Sequence, residues 1–274
     1  MAGLFGMGGN RGGGRRRGGW KIRIVIALGL AIFALFKFYF TGGITVKDEI
    51  AIGLNATPQL IQQYNGESPS IESNTRVDEI GEKLVAVWER KLQQKGETNP
   101  YPFEFYLLDD SEIVNAFALP GGRVFITTAL YKELESDAQL AGVLGHEIGH
   151  VFSRHGAKHM KKAKLTQGLV GAAGVAGGDA SSAQMASMFG KLINMKYGRK
   201  DELESDRWAV KLTTEAGYDP RAMIEVMKIL DRASGGKKRM EIMSSHPNPG
   251  NRIEKIKQFI KEEYPNGLPD GLEP

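Results

Sequence analysis

Residues 137–152 read DAQLAGVLGHEIGHVF, and this stretch decides the fold that the chain is expected to adopt. Ser136, with Gln139 three residues later, forms a capping box, which predicts that a helix begins at about Asp137 and runs to roughly His159. Four apolar residues surround the central motif of this helix: Val143, Leu144, Ile148 and Val151. The helix is therefore expected in the core, where a buried imidazole needs a partner.

His146 and His150 lie four residues apart, so their azimuths differ by only about 40° and both imidazoles face one space, one turn apart. A tetrahedral zinc ion can bridge two such imidazoles. Glu147 lies at the edge of the same face, where it can act as general base toward a water on the ion. The alternative is that the two histidines only form a polar helix face. The apolar surroundings favour the metal site.

Two glycines lie beside the motif. Gly145 and Gly149 each cost a helix interior about 0.8–1 kcal/mol relative to alanine, so another backbone is expected to approach the helix there. His155 and His159 also lie four residues apart. If the helix continues, they lie about 180° and 220° around it from His146, and we expect them to be exposed and not to bind the metal.

The remaining metal ligands must come from a short inventory. The chain has no Cys and five His, so a metal can be held only by imidazoles and carboxylates. A catalytic zinc needs a third protein ligand and an open fourth position. The candidates are His246 and the acids Glu202 and Asp206, four apart on a predicted helix; one acid can ligate while the other accepts the free N–H of a ligating His. The alternative is that acidic residues at a helix start serve only the helix dipole.

The N-terminal residues differ from the rest in charge. Of the 36 basic residues, six lie in residues 1–23, which hold no acidic one; residues 24–274 keep 30 basic and 32 acidic residues, so nucleic-acid binding loses its support. Residues 1–23 are expected to form a disordered Arg/Gly-rich tail, and 24–40 are apolar enough for a transmembrane anchor that contacts lipid. The rival interpretation of 24–40 is a cleaved signal peptide. The basic tail predicts a cytoplasmic N-terminus and a periplasmic or extracytoplasmic domain.

The organisation after the anchor is mostly helical. Residues 41–73 are interpreted as a loop-like linker that packs on the domain, 74–264 as the domain itself and 265–274 as a C-terminal tail. The fold class is α+β, mostly α, with a small β-sheet whose hairpin turns at Pro120–Gly122. The elements predicted beside the motif helix are one helix over Val77–Leu92, strands near Phe103–Leu108, Asn115–Leu119 and Arg123–Thr127, and helices near Ala183–Met195, Asp201–Ala216, Pro220–Ala233 and Asn251–Glu262.

Several pieces in fixed order between Ile50 and Lys261 resemble one known family. They are GLNATPQL at 53–60, NAFALPGG at 115–122, the His146 motif through Arg154-His155, Glu202 with Asp206, and His246-Pro247 followed by Arg252-Ile253. The chain resembles the membrane-associated zinc metallopeptidases (gluzincins) that include HtpX, BepA and the CAAX prenyl proteases, and it is most similar to the BepA-like kind with a single anchor. The resemblance implies a zincin-like helical domain and one Zn²⁺ per chain held by His146, His150 and Glu202, with Asp206 behind them.

The resemblance also implies a reaction. It would be metal-assisted hydrolysis of peptide bonds in unfolded or misassembled envelope proteins, with Glu147 moving the proton from water to the leaving nitrogen. His246 or Tyr197 would donate to the developing oxyanion. His246 has two alternatives, as a latent zinc ligand or a packing residue.

The segment Asn115–Leu119 is open to two interpretations. As an exposed edge strand it could bind an extended polypeptide through main-chain hydrogen bonds. The residues that would form this substrate strand are Asn115, Ala116, Phe117 and Ala118. The other interpretation is an ordinary hairpin strand. For the whole chain, the rival function is a catalytically silent chaperone-like or scaffold protein that keeps the peptidase fold.

Overall fold

The structure is a computed structural model that describes residues 43–162, 196–235, 239–246 and 250–274. The predicted tail 1–23, the predicted anchor 24–40 and the predicted helix over 183–195 lie outside these ranges. Within them, we find no helix that combines the length and the apolar character needed to cross a bilayer.

The described part is mostly helical with small sheets, in agreement with the predicted α+β class. Its elements are α1 Val46–Gln63, α2 Ile71–Gln93, β1 Glu104–Leu108, β2 Ile113–Val114, β3 Ala116–Leu119, β4 Arg123–Thr127, α3 Thr128–Tyr131, α4 Asp137–Phe152, α5 over 155–162, α6 Arg199–Glu215, α7 Ala222–Ser234, β5 Arg239–Met240, α8 Ile242–Ser245 and α9 Arg252–Glu263. The bounds of α6, α7 and α9 fall within two residues of the predicted ones.

The main sheet has the strand order β1-β4-β3. β1 runs parallel to β4, and β4 runs antiparallel to β3, which confirms the predicted hairpin. Gly121 and Gly122 form its turn with φ angles of 93° and 97°, a region that glycine enters without steric cost. β3 is thus an edge strand of this sheet. β2 pairs instead with β5 in a separate parallel pair.

The described part of the predicted linker, residues 43–73, is largely helical, whereas a loop-like segment was expected from the sequence. Thr45 and Asp48 cap α1 reciprocally: the Thr45 hydroxyl accepts from the Asp48 N–H at 3.1 Å, and the Asp48 carboxylate accepts from the Thr45 N–H at 2.9 Å. Gly53 and Pro58 interrupt the helical pattern in the sequence. Gly53 has a steric reason, because a Cβ there would collide with the Pro120 carbonyl oxygen.

The C-terminal residues 265–274 are tied to the domain. The Asp219 N–H donates to the Glu273 carbonyl at 2.8 Å, and the Glu273 N–H donates to the Gly217 carbonyl at 2.8 Å. These bonds form a bridge beside Tyr218, at the end of α6. The segment that was predicted as a tail is therefore hydrogen-bonded to the loop that follows α6.

α4 is the central helix, and it is shorter than predicted. It begins at Asp137 as expected, with the Ser136 hydroxyl accepting from the Gln139 N–H, but it ends at Phe152 and not near His159. Arg154 adopts a left-handed φ of 55°, which turns the chain before α5 begins. Buried Glu49 of α1 holds this corner, because its carboxylate accepts from Arg154 Nε at 2.7 Å.

Candidate metal centre

The two motif histidines meet a carboxylate from α6. His146 and His150 are both buried on α4, with their Nε2 atoms 3.1 Å apart. Glu202, near the start of α6, places Oε1 3.5 Å from His150 Nε2 and Oε2 3.6 Å from His146 Nε2. The structure therefore brings together the three residues that the resemblance implied as ligands.

Close packing of α4 on α6 makes this meeting possible. A Cβ added at Gly149 would lie 3.0 Å from the Ser205 Cα, and one added at Gly145 would lie 3.3 Å from the Ala209 Cα. The predicted approach of a second backbone at these glycines is thus confirmed. Any larger residue at position 149 would separate the helix that carries the imidazoles from the helix that carries the carboxylates.

His246 joins the same cluster from the far end of the sequence. It follows α8, is buried, and places Nδ1 3.0 Å from Glu202 Oε1 and 3.3 Å from His146 Nε2. One ligand atom from each of His146, His150, Glu202 and His246 lies within 4.8 Å of the others.

The donor set fits a tetrahedral metal ion. Ligand atoms about 2.0–2.1 Å from a tetrahedral zinc lie about 3.3 Å from one another. Contacts of 3.0–3.6 Å join His146 to His150, Glu202 to all three histidines and His246 to His146, and one ligand atom from each residue lies within 4.8 Å of the others. In the part of the chain that the structure describes, His246 Nε2 and Glu147 Oε2 are buried without a hydrogen-bond partner beside this set. Nitrogen and oxygen donors without thiolate are those of catalytic zinc sites.

The charges of the cluster are mutually dependent. Burial alone would raise the pKa of Glu202, but His246, His150 and His146 outweigh burial and hold that pKa below its ordinary value. Burial lowers the pKa of His150 well below that of free imidazole, so its ring is neutral, as metal ligation requires. For His246, burial lowers the pKa, but Glu147 and Glu202 outweigh burial and the net direction is upward.

The outer nitrogen of His146 contacts an acid. His146 Nδ1 lies 2.9 Å from Asp206 Oδ1, one turn after Glu202 on α6, which is the place expected for the acid behind the ligands. Arg252, at the start of α9, donates to both oxygens of Asp206, at 2.6 and 2.9 Å, and its Nη1 lies 3.1 Å from Glu202 Oε2. Burial would raise the pKa of Asp206, but Arg252 holds it below its ordinary value.

His155 is buried, and the prediction that it is exposed was wrong. Because α4 ends at Phe152 and the chain turns at Arg154, His155 returns to the metal side, where its Nδ1 lies 2.9 Å from Nδ1 of His150. His159 is partly exposed, with Nε2 2.8 Å from Asp201 Oδ2. Neither is in the four-residue donor set.

Glu147 and Tyr197 lie beside the donors. Glu147 is buried, with Oε1 3.6 Å from His246 Nε2. The Tyr197 ring lies over His150 with centroids 3.9 Å apart and is 5.3 Å from the His246 ring. Burial and the nearby Glu147 raise the pKa of the Tyr197 hydroxyl, so it keeps its proton and can donate a hydrogen bond.

A small apolar pocket of about 30 Å³ lies beside Glu147 and His246. Most of its wall is aliphatic or thioether: Met223, Val226, Met227, Leu230, Ile242 and Met243.

β3 lies against α4 at the edge of the main sheet. Ala116 and Phe117 are buried, whereas Ala118 is partly exposed. Asn115 differs from the strand residues, because its N–H donates to the Thr127 hydroxyl at 3.1 Å and its carbonyl accepts from the Thr127 N–H at 3.0 Å. Its amide side chain is buried and donates to the Tyr64 hydroxyl at 3.2 Å.

Sequence reasoning missed the roles of Arg252 and His155. Two buried acids one turn apart on α6 require a cation, and that requirement was the available signal for Arg252. Nothing local in the sequence signals the turn that brings His155 to His150, because the corner depends on Glu49, 105 residues earlier.

Comparisons with known proteins agree with this geometry. Residues 72–260 match peptidase family M48. The beta-barrel assembly-enhancing protease of Escherichia coli K12 is 32% identical over 206 residues, which cover 70% of this chain and 40% of the relative. The relative of the same name from Yersinia pestis is 28% identical over 237 residues, covering 81% and 46%. The mitochondrial metalloendopeptidase OMA1 of Arabidopsis thaliana is 32% identical over 152 residues, covering 56% and 30%.

The chain thus spans less than half the length of these curated relatives. The family match covers α2 through most of α9 and includes all four residues of the donor set. The chain therefore belongs to peptidase family M48.

Proposed function

We propose that this chain is a zinc-dependent endopeptidase that hydrolyses peptide bonds of unfolded or misassembled envelope proteins. The observation that carries the proposal is the buried donor set of His146, His150 and Glu202 with the carboxylate of Glu147 beside it. Zinc bound there would polarise the scissile carbonyl and acidify a water molecule. Glu147 accepts the proton of that water and delivers it to the leaving nitrogen.

His246 and Tyr197 have separate roles in the proposal. His246 Nδ1 lies 3.0 Å from Glu202 and 3.3 Å from His146, so His246 would be able to hold an ion together with these residues. We therefore place His246 in a latent arrangement, in which water has no open position until the residue moves away. Tyr197, whose hydroxyl stays protonated, is the donor to the oxyanion.

The substrate class is supported by two features. β3 is an edge strand, and an edge offers unpaired main-chain groups to an extended polypeptide. In this mode, Ala116 and Ala118 contribute main-chain bonds, because the main-chain groups of Asn115 and Phe117 face β4. Asn115 anchors the start of the strand through Thr127. The name of the Escherichia coli relative, a beta-barrel assembly-enhancing protease, supports envelope proteins as substrates.

The location follows from the sequence beyond the described residues. We propose that 24–40 anchor the chain in a membrane and that the basic tail stays cytoplasmic, with the peptidase domain in the periplasm. Flotation of the full chain with lipid vesicles tests the anchor. Recovery of the chain only in the vesicle-free fraction would contradict it.

Glu147→Gln tests the function. We expect the variant to bind as much zinc as the parent and to hydrolyse casein about 10²–10⁴-fold more slowly, because it loses the general base but keeps the ligands. Unchanged hydrolysis in the variant would overturn the mechanism. A parent that binds zinc but does not hydrolyse casein would favour the catalytically silent scaffold.

His246→Ala in the same assay separates the roles of His246. Faster hydrolysis supports the latent ligand, slower hydrolysis supports an oxyanion donor, and an unchanged rate contradicts both roles.

A further inference from the structure

His150 has an unusual partner for a metal ligand. If Nε2 faces the ion, as the proposed function requires, the neutral ring must carry its proton on Nδ1. The nearest acceptor to that proton is Nδ1 of His155, at 2.9 Å. Ligating histidines usually donate this proton to a carboxylate, a carbonyl or water. Here the acceptor is a second imidazole.

The tautomer of His155 then follows from the contact. Because its Nδ1 accepts from His150, its own proton must lie on Nε2. That nitrogen is 3.3 Å from Glu204 Oε2 and 3.6 Å from Asp201 Oδ1, so it has a carboxylate to receive its hydrogen bond. The hydrogen bonds can therefore run in only one direction: His150 donates to His155, and His155 donates to a carboxylate at the start of α6.

His150, His155 and Glu204, which form this series of hydrogen bonds, differ in their exposure to solvent. His150 and His155 are buried, whereas the Glu204 side chain is 51% exposed. The buried ring of His155 thus connects a metal ligand in the core to a carboxylate at the surface. Asp201 also contacts His159, but His159 does not reach His150.

We propose that His155 is a positioning residue of the metal centre, which fixes the tautomer and the ring orientation of His150 and is itself oriented by Glu204 and Asp201. The proposal rests on the proposed zinc ligation by His150. It assigns no ligand to His155, whose ring acts only through that of His150.

Three variants of the full chain separate hydrogen bonding from packing. His155→Met fills the space without an acceptor. His155→Gln keeps both functions, since its carbonyl can accept from His150 and its amide can donate to Glu204. His159→Gln is the matched control, because it perturbs the other partner of Asp201 and leaves His150 untouched. The readouts are zinc affinity, by competition with a chromophoric chelator, and the thermal midpoint of the zinc-free protein.

We expect His155→Met to bind zinc about 10–100-fold more weakly than the parent, as for other partners of ligating histidines. His155→Gln should recover most of this loss, and His159→Gln should bind like the parent. Equal losses in the Met and Gln variants, or parental affinity in the Met variant, would overturn the proposal. A parent that binds no zinc would instead contradict the proposed function.

Glu204→Ala provides a second route if His155→Met does not fold. The side chain is half exposed, so its removal leaves the core intact, and Asp201 still faces His155. We expect weaker zinc binding with an unchanged thermal midpoint of the zinc-free protein. Parental zinc affinity in Glu204→Ala would contradict the role of this carboxylate in orienting His155.

Discussion

His146 is supported by a buried ion pair, whereas His150 is supported by a second imidazole that leads to the surface. Behind His146, Asp206 and Arg252 are both nearly inaccessible to water. Behind His150, His155 passes the contact on to Glu204, half of whose side chain faces solvent. Both supports fix a ligand ring, but only the first places compensating charges in the core. Loss of one partner should therefore affect folding on the Asp206 side and metal binding on the His155 side.

Arg252→Met is the strongest way to break the Asp206 side. Removal of the guanidinium leaves Asp206 and Glu202 without their buried cation, and breaking such a pair costs about 3–5 kcal/mol. We expect a loss of this size in the free energy of unfolding of the zinc-free protein, measured by urea denaturation.

Arg207→Met is the matched control for that change. Arg207 also bonds an acid, Glu263, at 2.6 Å, but its side chain is 42% exposed, and exposed pairs contribute about 0–1 kcal/mol. If the two variants lose the same free energy of unfolding, breaking the buried ion pair behind His146 costs no more than breaking an exposed one, which would contradict the prediction.

Gly149→Ala tests the contact on which both sides depend. The new methyl would lie 3.0 Å from the Ser205 Cα and from the Trp208 Cβ, atoms that cannot retreat without moving α6. Overpacking costs about 1–3 kcal/mol, and the gain in helix propensity returns about 0.8–1 kcal/mol. We expect a net loss of up to about 2 kcal/mol in the free energy of unfolding, measured by urea denaturation, together with weaker zinc binding as Glu202 moves away from the histidines.

Gly145→Ala is the milder counterpart. Its methyl would meet the Ala209 Cα at 3.3 Å, so the packing cost should nearly cancel the propensity gain. A larger loss of stability at position 145 than at position 149 would contradict the prediction, because it would mean that the contact at Gly149 is not the one that is most sensitive to an added methyl group.

The sequence predicted what depends on local periodicity. His146 and His150 follow from their spacing on one helix, and the glycines beside them indicated a close helix, which is observed at Ser205. α1 was missed because Gly53 and Pro58 break its pattern, and the reason for Gly53 is a contact with Pro120, far along the chain. From the residues alone the third ligand stayed open among His246, Glu202 and Asp206, of which the first two lie in the donor set.

His155 shows where such reasoning fails. Its predicted azimuth assumed that α4 continues to His159. Because the helix ends before His155, a single backbone angle that departs from helical geometry is enough to place the ring on the opposite face from the one predicted. That angle is the φ of Arg154, held by a carboxylate from α1 and by the carbonyl of Ile44 at 2.6 Å. No pattern within 137–159 contains these partners.

The corner at Arg154 allows the finest test of the comparison, because it places His155 behind His150. Arg154→Gly and Arg154→Ala both lose the ion pair to Glu49, but only alanine carries a Cβ into the left-handed region, where a residue with a Cβ pays about 1–2 kcal/mol. We expect Arg154→Gly to be more stable than Arg154→Ala by about 1 kcal/mol in urea denaturation. Zinc affinity should fall further in the alanine variant, since relief of its strain moves His155 from His150. Equal stability and equal affinity in the two variants would mean that the φ of residue 154 does not control the support of His150.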